Sequence, residues 1–291
     1  MFVEAERNSR LFSPWTKTQE VFMSNKNIFE RVMNFQLEMI TMKKHAIVRP
    51  PSKSFSGCIS SHPDHHLLDI NLAKEQHSKY CEILSSLGIE LIHLSPDEEH
   101  PDSCFVEDTA IVYGNRAIIT RMAKESRREE VDSISEVLSQ YKSAKRVKEP
   151  GTIEGGDVIH LTDSLISGIT ERTNKEGTKQ TSEWLGVRIG LIEDPQIIHL
   201  KSHVTYLGRN TIVTTKRFEE HPLLTNFEKI LVPNTEAYAA NTLAIDDVVL
   251  MSSRHKVTLK LVKESGFDIV SLDMSEFEKC EGALTCLSII F

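Results

Sequence analysis

Cysteine is scarce in this sequence, with only five residues among 291. So small and odd a number argues against a disulfide framework, and free thiols predict a cytoplasmic location. Long apolar runs are also missing, because none approaches the roughly 20 residues that span a membrane. Positive charge is in deficit, since 34 Lys and Arg face 42 Asp and Glu for a net charge of −8. This composition indicates neither a nucleic-acid partner nor a membrane partner.

The first 41 residues differ from the rest of the chain. They lack a compact apolar core followed by small residues, so they do not read as a secretory signal. A helical apolar spacing is confined to residues 29–40, and residues 43–49 read as the first strand. We therefore expect an N-terminal extension, helical or flexible, over residues 1–41 and one compact domain over residues 42–291.

Within that domain the predicted elements recur in the order strand, strand, helix, strand. Each unit takes roughly 40–50 residues, a period typical of repeat architectures. In one unit the paired strands are predicted over residues 105–112 and 117–120. The strand at Ile47 and the one after Cys286 would complete a fifth unit from both ends of the domain. A doubly wound sheet is the alternative, but tight turns between paired strands favour antiparallel pairing.

Cys286 lies where a glycine-opened turn gives way to a short apolar strand. Its sulfur could there be both held and reachable, as a nucleophile requires. Cysteine is equally among the most often buried residue types. The pattern alone leaves both interpretations open.

Three carboxylates, Asp102, Glu107 and Asp108, flank a segment of apolar and aromatic residues. If the segment is a regular strand, alternation places Asp102 and Asp108 on one face and Glu107 on the other. Acids inside an apolar strand are costly to desolvate unless a cation meets them. They therefore indicate a site for a cationic group, although acids that bracket a strand and face water remain an alternative.

Glu154 and His199 could serve the cysteine. Glu154 precedes two glycines, which permit a tight turn and close approach of the backbone. His199 lies in an apolar run, where a lone histidine is more often a core residue than a catalyst. A cysteine nucleophile needs a histidine beside it, and that histidine needs an acid behind it, so the three residues together favour catalysis.

Arg121 and Arg172 each follow an apolar strand and precede a helix, at the same point of two successive units. Arginine suits bidentate capture of a carboxylate. The acids could bind a cationic group and the arginines an anionic group, while the cysteine and the histidine react with the atoms in between. This set of residues would suit a zwitterionic substrate that carries a guanidinium.

His62, His65 and His66 fall in a polar loop, and three histidines invite a metal interpretation. The loop has no convincing companion set of ligands at a metal-binding spacing. We therefore expect a mobile loop over a site and no metal.

Taken together, the motifs resemble the dimethylarginine dimethylaminohydrolases, members of the guanidino-group modifying superfamily. The resemblance runs from about Met42 to Phe291 and rests on PDSCFVEDTA, AIITR with SRR following, EGGDV, SGITERTN, IIHLKS, AYAANT and EGALTCLSIIF. It implies an α/β fold, a five-bladed α/β propeller of ββαβ modules with pseudo-fivefold symmetry, as a single catalytic domain. It implies no metal and no cofactor, a small guanidino amino acid as partner, and leaves a homodimer open.

The resemblance also implies the site. It makes Cys286 the nucleophile, with His199 as general acid and base and Glu154 as the partner of His199. The residues implied to bind substrate are Asp108 at the guanidinium with Asp102 and Glu107 assisting, Arg121 and Arg172 at the carboxylate, and the backbone at Ile59 and Cys280. The implied reaction converts dimethylarginine to citrulline and dimethylamine through an S-alkylthiouronium on Cys286.

Two residues depart from the family pattern. Glu281 stands where aspartate is common, and Cys280 where an aliphatic residue is frequent; both bear on the substrate more than on the chemistry. A related hydrolase acting on arginine or citrulline, an amidinotransferase and a non-enzymatic binding protein of the same fold are the alternatives. Retention of cysteine, histidine and acid together favours an enzyme.

Overall fold

The computed structural model describes residues 43–291, so the prediction for residues 1–41 lies outside the described residues. Lys44–Phe291 forms one compact unit. Its strands make five separate sheets of three strands each, which is an α/β fold of small mixed sheets. A single doubly wound sheet, the alternative from sequence, is therefore wrong.

The sheets share one plan: the middle strand pairs antiparallel with one neighbour and parallel with the other. A short turn suffices for the antiparallel pair, whereas the parallel pair needs a crossover connection. The strands are β1 (His45–Val48), β2 (Glu90–His93), β3 (Ala110–Tyr113), β4 (Arg116–Ile119), β5 (Ser143–Arg146), β6 (Val158–His160), β7 (Leu165–Ile169), β8 (Ile189–Glu193), β9 (Val204–Gly208), β10 (Thr211–Thr214), β11 (Glu228–Leu231), β12 (Leu243–Ile245), β13 (Val248–Ser252), β14 (Asp268–Leu272) and β15 (Ile289–Ile290).

Helices make four of the five crossovers. They are α1 (Ile70–Ser86), α2 (Val131–Tyr141), α3 (Lys175–Leu185) and α4 (Lys256–Glu264), while the short α5 (Ser275–Glu278) precedes the cysteine turn. The crossover from β10 to β11 uses 3-10 turns at Lys216–Phe218 and Pro222–Leu224 instead. Four of the five units therefore have the predicted order of strand, strand, helix and strand. In the remaining unit, β9 to β11, 3-10 turns replace the helix.

The two ends of Lys44–Phe291 meet in one sheet of order β15-β1-β2. Ala46 lies opposite Ile290 and Ile47 opposite Ile289 in antiparallel pairing, which confirms the predicted closure of the fifth unit. Tyr80 of α1 is fully buried and its hydroxyl lies 2.7 Å from Ser288 Oγ. The segment that carries Cys286 is therefore held by a sheet on one side and by a helix on the other.

The strand predicted over residues 105–112 is wrong in its first half. Val106–Thr109 is a 3-10 helix, and the strand begins only at Ala110. Phe105 N donates to Asp102 O and Asp108 N to Phe105 O, both local turns. Because the backbone coils here, the direction of each acid is set by these turns and not by strand alternation.

The expectation of free thiols throughout is also wrong, because Cys58 and Cys280 form a disulfide. The two residues are 222 positions apart in sequence and their Cα atoms are 6.1 Å apart, a pairing that no count of cysteines could identify. Cys81, Cys104 and Cys286 are free. The cytoplasmic location was predicted from free thiols, so this disulfide weakens that argument, and the location stays a prediction. Among residues 43–291, no helix is long and apolar enough to cross a membrane.

Candidate active site

One small cavity, of about 40 Å³, brings together seven of the predicted site residues. These are Ile59, Asp102, Asp108, Arg172, His199, Cys280 and Cys286, and the lining is completed by Phe105, Arg127, Ile198, Glu281 and Gly282. Glu154 lies directly behind His199, whereas Glu107 and Arg121 lie outside this lining. The lining comes from several units, so the cavity exists only in the folded chain.

Cys286 lies in a 3-10 helix, Thr285–Leu287, that is tied to its neighbours on both sides. Asn241 accepts a hydrogen bond from Thr285 N and donates another to Thr285 Oγ1, each 3.1 Å long. Tyr238 Oη donates to Gly282 O at 2.8 Å. Both partners belong to the AYAANT motif, whose sequence alone indicated no role for them. They position the turn that presents the sulfur.

The thiol of Cys286 is neutral in the free protein. Burial, followed by the negative charges of Glu107 and Asp108, raises its pKa to about 12. A neutral thiol is a poor nucleophile. A bound cation would counter the charges of the two acids and favour the thiolate, so the nucleophile would be activated most strongly when a guanidinium is present.

His199 and Glu154 form a buried pair. His199 Nε2 and Glu154 Oε2 are 2.8 Å apart, and the other oxygen, Oε1, accepts from Ala123 N at 3.0 Å. Burial alone would lower the pKa of His199, but the charge of Asp108, the hydrogen bond to Glu154 and the charge of Asp157 raise it to about 9. The imidazole is therefore protonated at neutral pH and can give a proton to a leaving group.

Asp157, in the EGGDV motif, holds the backbone beside His199, and the sequence analysis missed it as a positioning residue. Its Oδ1 accepts from Leu200 N at 2.8 Å, and its Oδ2 accepts from Thr170 at 2.8 Å and Thr173 at 2.6 Å. Burial raises the pKa of Asp157 to about 6, against the opposing charge of His199. Carboxylates that accept several buried hydrogen bonds fix local geometry.

Asp108 lies between the histidine and the glycine turn. Its Oδ1 is 3.7 Å from His199 Nε2 and accepts from Gly156 N at 3.0 Å. Burial opposes ionisation, but the charges of His199 and Arg127 prevail and hold the pKa of Asp108 below its usual value. A Cβ on Gly156 would lie 2.6 Å from His199 Nδ1 and 2.8 Å from Asp108 Oδ1. The second glycine of EGGDV is therefore needed for close approach.

Arg127 is a cavity residue that the sequence analysis did not assign. It donates to Asp108 Oδ2 at 3.0 Å and makes two 2.9 Å hydrogen bonds to the carboxylate of Glu130. In spite of burial, the charges of Glu130 and Asp108 raise the pKa of Arg127. It belongs to the SRR motif, whose run of charged residues is typical of an exposed surface. The sequence therefore did not predict that Arg127 would be buried. Its charge leaves the site with a fixed internal cation beside Asp108.

Asp102 lines the same cavity as Arg127. Both its oxygens are 3.2 Å from Ile59 N, which donates to the carboxylate. Burial raises the pKa of Asp102, with Arg127 opposing the shift. Asp102 thus links the backbone predicted to contact substrate at Ile59 to the acid cluster.

The two predicted arginines differ in position. Arg172 lines the cavity with a side chain 6% exposed, and within residues 43–291 its Nε and Nη1 have no hydrogen-bond partner. Arg121 instead lies 3.6 Å from the exposed carboxylate of Glu149 and 3.5 Å from Gly151 O. Only Arg172 therefore offers unused donors to a ligand in the cavity.

Glu107 faces away from the cavity. It pairs with Lys201 and accepts from Thr285 Oγ1 at 2.7 Å. These three residues line a separate cavity of about 310 Å³. Glu107 can act on Cys286 through its charge and through Thr285, which precedes the nucleophile, although it does not line the small cavity.

Among residues 43–291, two groups of side chains have the spacing of metal ligands. One is Asp108, Glu154 and His199, and the other is Cys58, His65 and Cys280; in each the donor atoms lie within 4.8 Å of one another. In the first group, the Nε2 atom of His199 carries a proton and bonds to Glu154, so it has no lone pair to offer a metal ion. In the second, the sulfurs are joined in the disulfide. Neither arrangement fits a resident metal ion.

Comparisons with known proteins identify the family to which this chain belongs. The family model described as N,N dimethylarginine dimethylhydrolase, eukaryotic, matches residues 61–288. The N(G),N(G)-dimethylarginine dimethylaminohydrolase of Pseudomonas aeruginosa is 34% identical over 86% of this chain and 100% of its own length. The enzyme of that name from Streptomyces coelicolor is 36% identical over 84% of this chain and 96% of its own length.

A solved structure shows the same fold. It is a cysteine-to-serine mutant of the Pseudomonas aeruginosa enzyme complexed with citrulline, with a TM-score of 0.82 and 33% sequence identity. The match covers 86% of this chain and 100% of that chain. By its motifs, its sheets and its relatives, this chain belongs to the dimethylarginine dimethylaminohydrolase family.

Proposed function

We propose that this chain hydrolyses the guanidinium C–N bond of an N-omega-methylated arginine, converting dimethylarginine to citrulline and dimethylamine. The observation that carries the proposal is the arrangement of the small cavity. A cysteine and a protonated histidine lie among carboxylates, and a buried arginine with unused donors opens onto the same space. The relatives named as dimethylaminohydrolases, and the citrulline in one of their structures, support this choice.

Binding would come first. Asp108 and Asp102 would hold the guanidinium, while the guanidinium of Arg172 would donate to the α-carboxylate, since an arginine fork matches a carboxylate. The arriving cation lowers the pKa of Cys286 by offsetting the charges of Glu107 and Asp108. The thiol proton leaves to water, and the thiolate lies beside an electrophilic carbon.

The reaction would then proceed in two steps through Cys286. In the first, the thiolate attacks the guanidinium carbon, the C–N bond to the dimethylamino group breaks, and the His199 imidazolium gives its proton to the departing amine. In the second, neutral His199 takes a proton from water, whose oxygen attacks the thiouronium carbon. The C–S bond breaks, the second proton of that water leaves to solvent, the thiolate is restored, and neutral citrulline leaves.

A substrate panel tests the proposal. The reduced protein is incubated separately with dimethylarginine, monomethylarginine, arginine and citrulline, and both the ureido product and the released amine are measured. We expect dimethylamine and citrulline in equal amounts from dimethylarginine. Ammonia from arginine or citrulline as the faster reaction would contradict the proposal and favour the related hydrolases, and consumption that depends on an added amine would favour an amidinotransferase.

Replacing the nucleophile supplies the control. We expect Cys286→Ser to keep the fold and lose turnover, because a hydroxyl is a far weaker nucleophile without a stronger base. Intact protein mass spectrometry of the wild type during turnover should show a covalent adduct that is absent from the variant. More than a few per cent of residual activity in Cys286→Ser would contradict the covalent route.

The arrangement of the five units is part of the same proposal. We infer that the sheets stand as blades of an α/β propeller with pseudo-fivefold symmetry and that residues 42–291 are the catalytic domain. The shared strand plan and the pairing of β1 with β15 support this.

A chain that begins at Met42 should keep its thermal midpoint and its kcat/KM. Light scattering and cell fractionation would test the proposed homodimer and cytoplasmic location.

A further inference from the structure

The Cys58–Cys280 disulfide joins the two segments that border the cavity. Cys58 precedes Ile59, and Cys280 precedes Glu281; Ile59, Cys280 and Glu281 all line the cavity. One segment follows the 3-10 helix Lys53–Gly57, and the other follows α5. The covalent link therefore spans the edge of the site, between residues that belong to opposite ends of the described chain.

Further hydrogen bonds hold the same edge shut. Ser60 Oγ donates to Lys279 O at 2.8 Å, and Ser61 donates to Glu281 from its N at 2.9 Å and from its Oγ at 2.8 Å. Residues 59–68 are all half-buried or exposed. Segments with so little burial open at low cost when nothing covalent holds them. The disulfide is thus the strongest single tie on this loop.

The cavity behind the loop is too small for a methylated arginine. Its volume of about 40 Å³ admits a few water molecules, whereas sites for small ligands usually measure roughly 300–1,000 Å³. Part of the lining must therefore move before a substrate can bind, and its two exposed residues, Ile59 and Glu281, directly follow the bonded cysteines. With Cys58 and Cys280 bonded, the residues on each side of the entrance cannot separate beyond the reach of the disulfide.

A histidine stands at one sulfur of the pair. His65 Nε2 is 3.3 Å from Cys58 Sγ, close enough to stabilise Cys58 as a departing thiolate. Thiol–disulfide exchange is faster when the leaving thiolate is stabilised. Reduction would therefore begin at Cys280, with Cys58 as the leaving group.

We propose that the Cys58–Cys280 disulfide is a thiol-operated lock that keeps the substrate entrance closed until it is reduced. A thiolate of the reductant attacks Cys280 Sγ, the S–S bond breaks, and Cys58 leaves as a thiolate that takes a proton with help from His65. A second reductant thiol attacks the mixed disulfide and releases Cys280. Two reductant thiols become one disulfide, and the protein gains two thiols. The inference rests on the proposed function for its substrate.

The first test compares kcat/KM for dimethylarginine before and after reduction. Protein purified without reductant, in a chelating buffer, is compared with protein treated with dithiothreitol and desalted. If the locked loop leaves less than a tenth of the molecules open, the apparent affinity falls by about tenfold or more. We expect reduction to raise kcat/KM by at least that factor, chiefly through KM. An equal or lower kcat/KM after reduction overturns the lock, as does failure to find the Cys58–Cys280 peptide in the unreduced protein.

Variants separate the lock from oxidation of the nucleophile. Cys58→Ser cannot form the disulfide, so its kcat/KM should be the same before and after dithiothreitol. Cys81→Ser, a change at a free cysteine in α1, should keep the wild-type response to reduction. A Cys58→Ser protein that still needs dithiothreitol would place the redox effect at another thiol, such as Cys286, and overturn the lock.

Alkylation of Cys286 by iodoacetamide gives a readout that needs no substrate. Peptide mass spectrometry should show faster labelling of Cys286 after reduction of the wild type, and fast labelling of Cys58→Ser without it. If labelling responds in this way but no guanidino compound is turned over, the proposed function fails and the lock stands. If turnover is found and neither labelling nor kcat/KM responds, the lock fails and the function stands.

Discussion

Replacing Arg172 by alanine should strongly lower kcat/KM for substrates that carry an α-carboxylate. The Arg172 side chain is 6% exposed, and its nearest carboxylate contacts are 3.6 Å to Glu171 and 4.0 Å to Glu154. Within residues 43–291, its Nε and Nη1 have no hydrogen-bond partner. Because Arg172 also lines the cavity, its guanidinium can pair with a ligand carboxylate in a desolvated site.

The size of the effect follows from that burial. Truncating one partner of a buried charge pair costs about 2–5 kcal/mol. At about 1.4 kcal/mol per factor of ten, the loss in kcat/KM is about 30-fold to several thousandfold. Arg121 provides the matched comparison, because it contacts the exposed Glu149 and lies outside the cavity lining. A surface pair of that kind contributes about 1 kcal/mol or less, so Arg121→Ala should lose no more than about fivefold.

The assay measures kcat/KM of both variants on reduced protein with two compounds. One is dimethylarginine, and the other is a dimethylguanidino compound with the same chain but no α-carboxylate. Arg172→Ala should lose activity on the first and little on the second. Equal losses on both would show that Arg172 supports the structure and does not bind the carboxylate. A carboxylate-specific loss of the same size in Arg121→Ala would refute the assignment of binding to Arg172 alone and restore the role that the family resemblance implies.

Three further outcomes are expected. In reduced, substrate-free protein, the alkylation rate of Cys286 should rise about tenfold per pH unit from pH 7 to pH 10, because the thiolate is the reactive form and the pKa of the thiol is about 12. A plateau below pH 9 would contradict this. In an NMR titration, His199 should titrate near pH 9 in the wild type and lower in Glu154→Gln, which loses a charged acceptor 2.8 Å away; an unchanged midpoint would refute that cause. Gly156→Ala should lose most activity because its Cβ would lie 2.6 Å from the imidazole of His199, whereas Gly190→Ala, which meets a side-chain end at 3.3 Å, should stay near wild type.

Local sequence patterns determined the order of the elements. The predicted order of strand, strand, helix and strand is found in four of the five units, and the terminal strand pairs with the strand at Ile47 as predicted. Such features are readable because hydrophobic periodicity, glycine turns and strand-forming residues act over a few neighbouring positions. The motifs likewise identified Cys286, His199 and Glu154 as one group, since each sits in a short segment of strong character.

One prediction came out right for another reason. Asp102 and Asp108 were expected on one face and Glu107 on the other by strand alternation. The structure places the first two at the small cavity and Glu107 at another, but a 3-10 helix, Val106–Thr109, produces this arrangement. The apolar composition of the segment favoured a strand, and tertiary packing overrode that local preference.

Other features were decided by tertiary structure alone. Strand β5 has the sequence SAKR, which shows no apolar pattern, and it is a strand because it pairs in parallel with β4. Arg121 and Arg172 follow equivalent strands, yet Arg121 lies beside an exposed acid and Arg172 opens into the cavity. The Cys58–Cys280 disulfide joins residues 222 positions apart. In each case the outcome depends on groups that are distant in the chain and adjacent only after folding, so no local pattern could carry the information.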